Sequence, residues 1–194
     1  MPRRVQLGSM KSRLMAAVMA VSLLLSSGCV PSIHPLHSPD TEVRKKEFEG
    51  KWIKEGDLER WMIEASSNGY KISYFDDDGE EGRFEGHLVQ LGDSLFLDLT
   101  PEKMLSTRNS FYAIHVMPVH TFMKIEITEN TFKMAPFNPD WAKGYLEKNP
   151  DAIKHTIRDK LPVLTADTPA LQAFIRKHHE EKDVFGEATT FARQ

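Results

Sequence analysis

The chain contains 194 residues, a length that one domain accommodates comfortably. Its formal net charge is -3, and because the first 28 residues carry four basic side chains and no acidic one, the remainder carries -7. An acidic domain without an arginine-rich stripe gains nothing from a phosphate backbone, which argues against nucleic acid as a partner. The single cysteine excludes a framework of intramolecular disulfides.

The first 28 residues have the order of an export signal. Lys11 and Arg13 form a basic flank, an apolar run of 12 residues extends from Leu14 to Leu25, and small residues follow. A helix needs about 20 apolar residues to cross the hydrocarbon core of a bilayer, so this run is too short to span it. The pattern therefore predicts a cleavable signal peptide over residues 1–28.

The segment Leu25-Ser26-Ser27-Gly28-Cys29 resembles the lipobox of bacterial lipoprotein precursors. The resemblance implies cleavage between Gly28 and Cys29 and attachment of lipid to Cys29, whose thiolate is the nucleophile. Ser26 stands where such boxes most often have leucine, and the leucine lies one place earlier at Leu25. Two or three acyl chains, at about 0.8 kcal/mol per buried methylene, would then hold the chain on a membrane.

The residue after Cys29 bears on the compartment. In enterobacterial lipoproteins an aspartate at that position favours retention in the inner membrane, and this chain has Val30 there. The resemblance therefore implies a location in the cell envelope, on the outer membrane where the organism has two membranes.

A proline-rich stretch follows the cysteine. Pro31, Pro35 and Pro39 each restrict their own φ and bias the preceding residue towards extended conformations. We therefore predict that residues 29–47 comprise the lipidated cysteine and a semi-rigid tether, which in polyproline form would extend about 3.1 Å per residue. The folded domain is predicted to occupy residues 48–194 as one unit.

Alternation of apolar and polar residues with period 2 dominates from Phe48 to Pro136. Asn68-Gly69, Asp78-Gly79 and Gly92-Asp93 interrupt the alternation, and such pairs favour tight hairpins between neighbouring strands. The pattern predicts about eight strands, near residues 51–54, 61–65, 70–74, 84–88, 95–99, 113–117, 121–127 and 131–135. Because closing a twisted sheet removes its open edges, we predict a mainly β (α+β) fold in which an antiparallel up-and-down meander curls into a barrel.

Helix signals replace strand signals after Pro136. Asn138-Pro139-Asp140 and Asn149-Pro150-Asp151 each place a capping residue before a proline that suits the first helical turn, and Thr168-Pro169 opens a third predicted helix. We predict three helices that begin at these points, all within residues 138–182. Residues 161–166 and 188–191 are predicted to add short edge strands.

Gly50-Lys51-Trp52 opens the first predicted strand and resembles the Gly-x-Trp signature of lipocalins. The resemblance implies a lipocalin-like barrel in which Gly50 and Trp52 are structural and Trp52 closes the barrel floor. It also implies a barrel interior that accepts an apolar ligand, as in lipidated bacterial lipocalins. More broadly, residues 34–98, 118–122 and 138–141 are similar to a set of small bacterial lipoproteins whose function is uncharacterised.

Three residues on the predicted strands are the candidates for a pocket. Tyr74 lies on the apolar face of its strand, and His115 shares the strand parity of Phe111 and Ala113. His120 follows His115 on the next predicted strand. A histidine that faces the barrel and is satisfied by a hydrogen bond is the plainer interpretation of His115.

The sequence predicts no catalytic residue, metal ion or cofactor. The acidic run from Asp76 to Glu81 fails as a calcium loop, because Glu81 falls where the sharp turn needs glycine and His87 falls where a bidentate glutamate belongs. His115, His120 and Glu126 lack the spacing of a known ligand set. The chain has no Gly-x-Ser-x-Gly elbow, phosphate loop or dinucleotide fingerprint.

These observations favour a membrane-anchored, non-enzymatic binding module for an apolar small molecule or an envelope partner. Two alternatives remain open: a tethered hydrolase or other enzyme, and a purely structural envelope factor. The barrel interior discriminates among them, since a binder needs an open apolar cavity of about 300 Å³ or more. An enzyme needs a polar cleft with convergent titratable groups, and a structural factor has a filled barrel.

Overall fold

The computed structural model describes residues 29–102 and 116–194. The predicted signal peptide, including Gly28, and the candidate residue His115 therefore lie outside the described residues. Two α-helices form in these ranges, α1 (Pro139–Lys148) and α2 (Thr168–His178), with a short 3₁₀ helix at Lys46–Phe48. Neither α-helix is long and apolar enough to cross a bilayer. The strands are β1 (Pro31–Ser32), β2 (Glu42–Val43), β3 (Gly50–Lys54), β4 (Arg60–Ser66), β5 (Gly69–Phe75), β6 (Glu81–Leu91), β7 (Ser94–Pro101), β8 (His120–Ile127), β9 (Thr131–Pro136), β10 (His155–Arg158), β11 (Leu161–Leu164) and β12 (Thr189–Arg193).

Eight of these strands close an antiparallel barrel. The seven strands from β3 to β9 are each hydrogen-bonded to the next along the chain, as an up-and-down meander requires. Strand β12 pairs with both β9 and β3 and so completes the ring. The predicted mainly β, lipocalin-like barrel with C-terminal helices is confirmed.

Apolar side chains fill the barrel interior. Successive residues of a strand point to opposite faces, so Leu95, Leu97 and Leu99 of β7 all face inward. Six aromatic residues of the described ranges belong to this inner core, namely Phe48, Trp52, Trp61, Tyr70, Phe132 and Phe191. The ring centroid of Phe132 lies 5.3 Å from that of Phe48, 5.9 Å from that of Trp52 and 5.6 Å from that of Phe191. The Phe48 ring centroid also lies 5.1 Å from that of Tyr70, so Phe48 contacts Phe132 of β9 and Tyr70 of β5, on the opposite side of the wall.

The eighth barrel strand is the C-terminal strand β12, whereas the alternation pattern predicted a strand at residues 113–117. Phe191 of β12 is completely buried and pairs with Lys54 on one side and Phe132 on the other. Residues 113–115 lie outside the described residues, while Val116 and Met117 are exposed and belong to no strand. Pro118 follows directly and cannot donate to a strand ladder, which explains why β8 begins only at His120.

The proline-rich segment packs on the barrel wall, which corrects the prediction that residues 29–47 act as a semi-rigid tether. Val30 and Leu36 are completely buried. Strand β1 pairs with β8 and β11, and β2 pairs with β6. The prolines do favour extended backbone, as predicted, but an extended segment with apolar side chains can add to a sheet as readily as it can act as a spacer.

The two helices begin where the sequence predicts. Asn138 accepts hydrogen bonds from the backbone N–H groups of Asp140 and Trp141 at the start of α1, and Asp167 accepts one from Ala170 at the start of α2. Together with β10 and β11, the helices cover the outer face of β6, β7 and β8. The buried side chains between these layers form an outer core that includes Leu36, Phe96, Phe122, Leu171 and Ile175.

The prediction that a helix starts at Asn149-Pro150 is wrong. Asn149 caps the C-terminus of α1, where its side-chain amide donates to the carbonyl of Tyr145. A proline after a helix end prevents the helix from continuing, and here it leads into a turn. Residues 155–164 then form the hairpin β10–β11.

Candidate functional site

Three polar residues lie side by side on the outer face of the barrel wall: His87 on β6, Asp98 on β7 and His120 on β8. Because Leu97 and Leu99 face inward, Asp98 between them faces outward. Asp98 is nevertheless completely buried, since the N-terminal segment covers it.

The N-terminal segment contacts Asp98 through both backbone and side chain. Oδ2 of Asp98 accepts hydrogen bonds from the backbone N–H groups of Leu36 (2.8 Å) and His37 (3.2 Å). The same oxygen lies 2.8 Å from Nδ1 of His37, and Oδ1 lies 2.8 Å from Nδ1 of His120. We refer to Asp98, His37, His87, His120 and Glu42 as the Asp98 cluster.

His87 and Glu42 form a second link between the barrel wall and the N-terminal segment. The rings of His37 and His87 stack with their centroids 3.6 Å apart and their planes 9° from parallel. Nδ1 of the buried His87 lies 3.1 Å from Oε1 of Glu42, which belongs to β2. Strands β6 and β7 are thus each tied to the N-terminal segment by a polar side chain, and His120 ties β8 to Asp98 of β7.

The environment of Asp98 favours its ionised form. Burial raises the pKa of this carboxyl, but hydrogen bonds from His120 and His37 lower it by more, and the resulting pKa is about 2. At neutral pH the cluster therefore contains a buried carboxylate that accepts from two backbone and two imidazole N–H groups.

Helix α2 covers the N-terminal segment from the opposite side. Nε2 of Gln172 donates to the carbonyl of Leu36 at 2.8 Å and to Oγ1 of Thr41 at 3.1 Å. Oγ1 of Thr168 donates to the carbonyl of Pro35 at 2.7 Å. Residues 35–41 are consequently held between the barrel wall and α2 by hydrogen bonds on both faces.

The Asp98 cluster resembles a catalytic triad in only one respect. Each of the histidines His37 and His120 is held through Nδ1 by a carboxylate, which is how an aspartate orients a histidine base. Within residues 29–102 and 116–194, no hydroxyl or thiol is hydrogen-bonded to Nε2 of either ring. The described part of the cluster therefore has an oriented base without a nucleophile.

The same residues offer donor atoms of the kind that zinc prefers. One donor atom from each of His37, Asp98 and His120 lies within 4.8 Å of the other two. A metal ion would, however, have to replace the two short imidazole contacts to Asp98, both at hydrogen-bond distance. The geometry is that of a hydrogen-bonded latch, which fastens the N-terminal segment to the barrel.

Gly50 and Trp52, the predicted structural pair, lie at one end of the barrel. Trp52 is completely buried, and its Nε1 donates to the carbonyl of Phe48 at 3.0 Å. The guanidinium of Arg193 lies 4.2 Å from the Trp52 ring centroid and donates to the carbonyls of Glu47 and Glu49. A Cβ atom on Gly50 would lie 2.5 Å from Nη1 of Arg193, so glycine leaves room for this side chain.

Tyr74 and His120, the two candidate pocket residues that the structure describes, are not brought together. Tyr74 packs against the inner core with its ring 4.7 Å from that of Trp61, and burial, followed by the carboxylate of Glu59, raises its pKa to about 12. His120 lies on the outer side of the barrel wall, beside Asp98. The interior pocket predicted for these residues is therefore replaced by two separate environments.

A second group of acids lies at the barrel rim and is open to solvent. Asp57, Glu59 and Asp77 approach one another, and Nζ of Lys54 lies 2.8 Å from Asp57. Asp57, Lys54 and Asp77 also line a surface cleft of about 720 Å³. Hydrogen bonds from Asp77 and Lys54 lower the pKa of Asp57. Exposed acidic groups of this kind are ordinary surface features.

Comparison with protein-family models, with curated proteins and with solved structures finds no match for this chain. The interpretation of the site therefore depends on its geometry. The sequence patterns predicted no role for Asp98, His37 or Glu42 in a site, although one signal was present: Asp98 interrupts the apolar run of β7 between two leucines. An acid at such a position needs buried partners.

The pKa of Asp98 predicts how stability depends on pH. An aspartate in an unfolded chain titrates near pH 4, so a folded pKa of about 2 stabilises the fold fully above pH 4. That contribution, roughly 2–3 kcal/mol, is lost as the pH falls from about 4 through 2. We expect the difference in unfolding free energy between the wild type and Asp98→Asn, measured by urea denaturation, to shrink over this range. A difference that stays constant with pH would contradict the assignment.

Proposed function

We propose that the chain is a lipid-anchored protein of the bacterial cell envelope, which acts through its outer surface as a non-enzymatic scaffold or binding module for an envelope protein. The observation that carries this proposal is the filled barrel. Phe48 contacts both Phe132 of β9 and Tyr70 of β5 across the interior, where a small apolar ligand would need about 300 Å³ of open space. The filled interior therefore favours a partner outside the barrel.

The anchor is proposed on the basis of the lipobox-like segment that ends at Cys29. Cys29 is half-buried, it stands directly before the first buried residue of the domain, Val30, and burial raises the pKa of its thiol. This environment slows chemistry at the thiol in the folded protein, so lipid attachment would precede folding of the domain.

The enzyme alternative receives less support. A hydrolase would need a nucleophile beside His37 or His120, and the described residues place none there. The interactions of Asp98 are accounted for by its role in holding the N-terminal segment.

The test is replacement of Cys29 by serine in the full-length chain. We expect the wild type to gain the mass of two or three acyl chains and to fractionate with detergent-extracted membranes, while Cys29→Ser stays unprocessed and without lipid. Ser26→Ala, which keeps a small residue three positions before the cysteine, is the matched control and should be processed normally. Equal processing and equal membrane retention of Cys29→Ser would refute the anchor.

Native mass spectrometry of the same purified protein tests the second half of the proposal. We expect only the covalent lipid and no further apolar small molecule after the detergent is removed. An apolar molecule that co-purifies in stoichiometric amount would contradict the filled interior and restore the small-ligand alternative.

A further inference from the structure

We propose that the tip of the hairpin β10–β11 rests on the membrane surface beside the anchored Cys29. This inference depends on the lipid attachment proposed above, and it adds the orientation in which the domain is held. Three observations lead to it: the very short connection between Cys29 and the folded domain, the register of β1 with β11, and the composition of the hairpin tip.

Almost no linker separates Cys29 from the folded domain. Val30 is completely buried, and Pro31 is already paired with Thr121 of β8. Two residues of extended chain span about 7 Å, so lipid on Cys29 would hold the wall around β1 against the bilayer. The domain would then face the membrane with the surface that surrounds Cys29.

The sheet register shows which element shares that surface. Strand β1 is parallel to its neighbour β11, with Ser32 opposite Leu164. Following both strands back towards their N-termini leads from Ser32 to Cys29 and, over the same number of residues, from Leu164 to Leu161. Leu161 begins β11 directly after the hairpin turn. The turn and Cys29 therefore lie towards the same end of the strands β1 and β11.

The hairpin tip exposes large apolar side chains on both of its faces. Ile157 is 53% exposed and Leu161 is 43% exposed. Ile157 pairs with Pro162 on one face, whereas Leu161 pairs with Arg158 on the other. Between them, Asp159 and Lys160 form a tight turn with φ values of 51° and 70°. A protein partner that packed against one face of the hairpin would cover only one of Ile157 and Leu161. Insertion of the tip among lipid head groups would cover both side chains.

The charge of the tip suits an anionic surface. Residues 154–161 contain the basic side chains of Lys154, Arg158 and Lys160 and one acid, Asp159, and all four are exposed. Apolar side chains flanked by lysine and arginine are the combination that binds the interface of a membrane with anionic lipids. The mature chain as a whole is acidic, so this basic tip would orient it.

The experiment places an environment-sensitive dye at the tip of the lipidated, full-length expressed protein. The sulfur of a lipidated Cys29 is a thioether, so a new cysteine would be the only free thiol. Leu161→Cys labels the tip. Leu58→Cys is the matched control, because Leu58 is also an exposed leucine (66%) but lies at the β3–β4 turn on the far wall of the barrel. Both proteins are reconstituted into vesicles of phosphatidylethanolamine and phosphatidylglycerol that contain a nitroxide-labelled lipid.

We expect the nitroxide lipid to quench the dye at position 161 at least about twice as strongly as the dye at position 58. The emission maximum of the dye should shift to the blue only at position 161. The pair Arg158→Glu and Lys160→Glu, introduced together with Leu161→Cys, should reduce this quenching. Equal quenching at both positions, or a dye at 161 that stays in water, would overturn the proposed orientation and leave the hairpin open to a protein partner instead.

Intact mass of the same preparations separates this inference from the function on which it rests. Lipidated protein without quenching at 161 would refute the orientation alone. Protein without lipid on Cys29 would refute the proposed anchor and the orientation together.

Discussion

Replacing Asp98 by asparagine is expected to lower the unfolding free energy by about 3–5 kcal/mol at pH 7, because it breaks a buried, charged hydrogen-bond network. Both carboxylate oxygens of Asp98 accept, from two backbone N–H groups and from Nδ1 of His37 and His120. Asparagine offers one acceptor oxygen and directs an NH₂ group at the other donors. The N-terminal segment would lose the centre of its attachment to the barrel.

Urea denaturation measures this loss, and limited proteolysis locates it. We expect new cleavage within residues 30–41 of Asp98→Asn before the barrel itself is cut, since those residues depend on Asp98 for their burial. Asp93→Asn is the matched control, because it makes the same chemical change at an exposed position on the neighbouring turn. A loss for Asp98→Asn as small as that for the control would contradict the latch.

Replacing Trp52 by alanine is expected to cost about 3–5 kcal/mol, the usual range for removal of a buried tryptophan. The change would open a cavity beside Phe132, leave the carbonyl of Phe48 without its donor and remove the surface on which Arg193 stacks. These losses all fall at one end of the barrel. Loss of the stacking surface would also weaken the hydrogen bonds by which Arg193 joins β12 to the segment before β3.

Two further variants interpret the Trp52 result. Trp52→Phe keeps an aromatic ring and removes the N–H donor, so we expect a smaller loss of about 1–2 kcal/mol. Trp141→Ala removes a tryptophan that is only half-buried in the outer core and should also cost less than Trp52→Ala. Urea denaturation of all three proteins provides the comparison. A loss at Trp141 that equals or exceeds the loss at Trp52 would contradict the structural role of Trp52.

The barrel was largely predictable, because strand alternation is a local property. Every inward residue of β7 stands two positions from the next, and the same holds along the other meander strands, so the face that each residue presents follows from its sequence neighbours. Closure was not predictable in detail. Strand β12 follows two helices and a hairpin before it returns between β3 and β9, and the short segment around Phe191 gives no sign of which strands it will join.

The candidate site was much less predictable. The backbone N–H of Leu36 reaches Asp98 across 62 positions of the chain, and Thr168 reaches the carbonyl of Pro35 across 133. No spacing rule relates residues so distant, and the three histidines of the Asp98 cluster come from β6, β8 and the segment between β1 and β2. Only the acid within the apolar β7 strand indicated that a buried polar contact must form there.

Local sequence was sufficient to specify three features of the backbone: the alternating meander strands, the starts of α1 and α2, and the extended conformation of the proline-rich segment. Tertiary structure alone decided how these pieces are used. It filled the barrel with aromatic side chains, closed it with β12, and turned the expected tether into part of the wall, fastened by Asp98. The physical reason is that local patterns encode backbone geometry and which face is apolar, whereas the choice of partner surface depends on contacts between residues far apart in the chain.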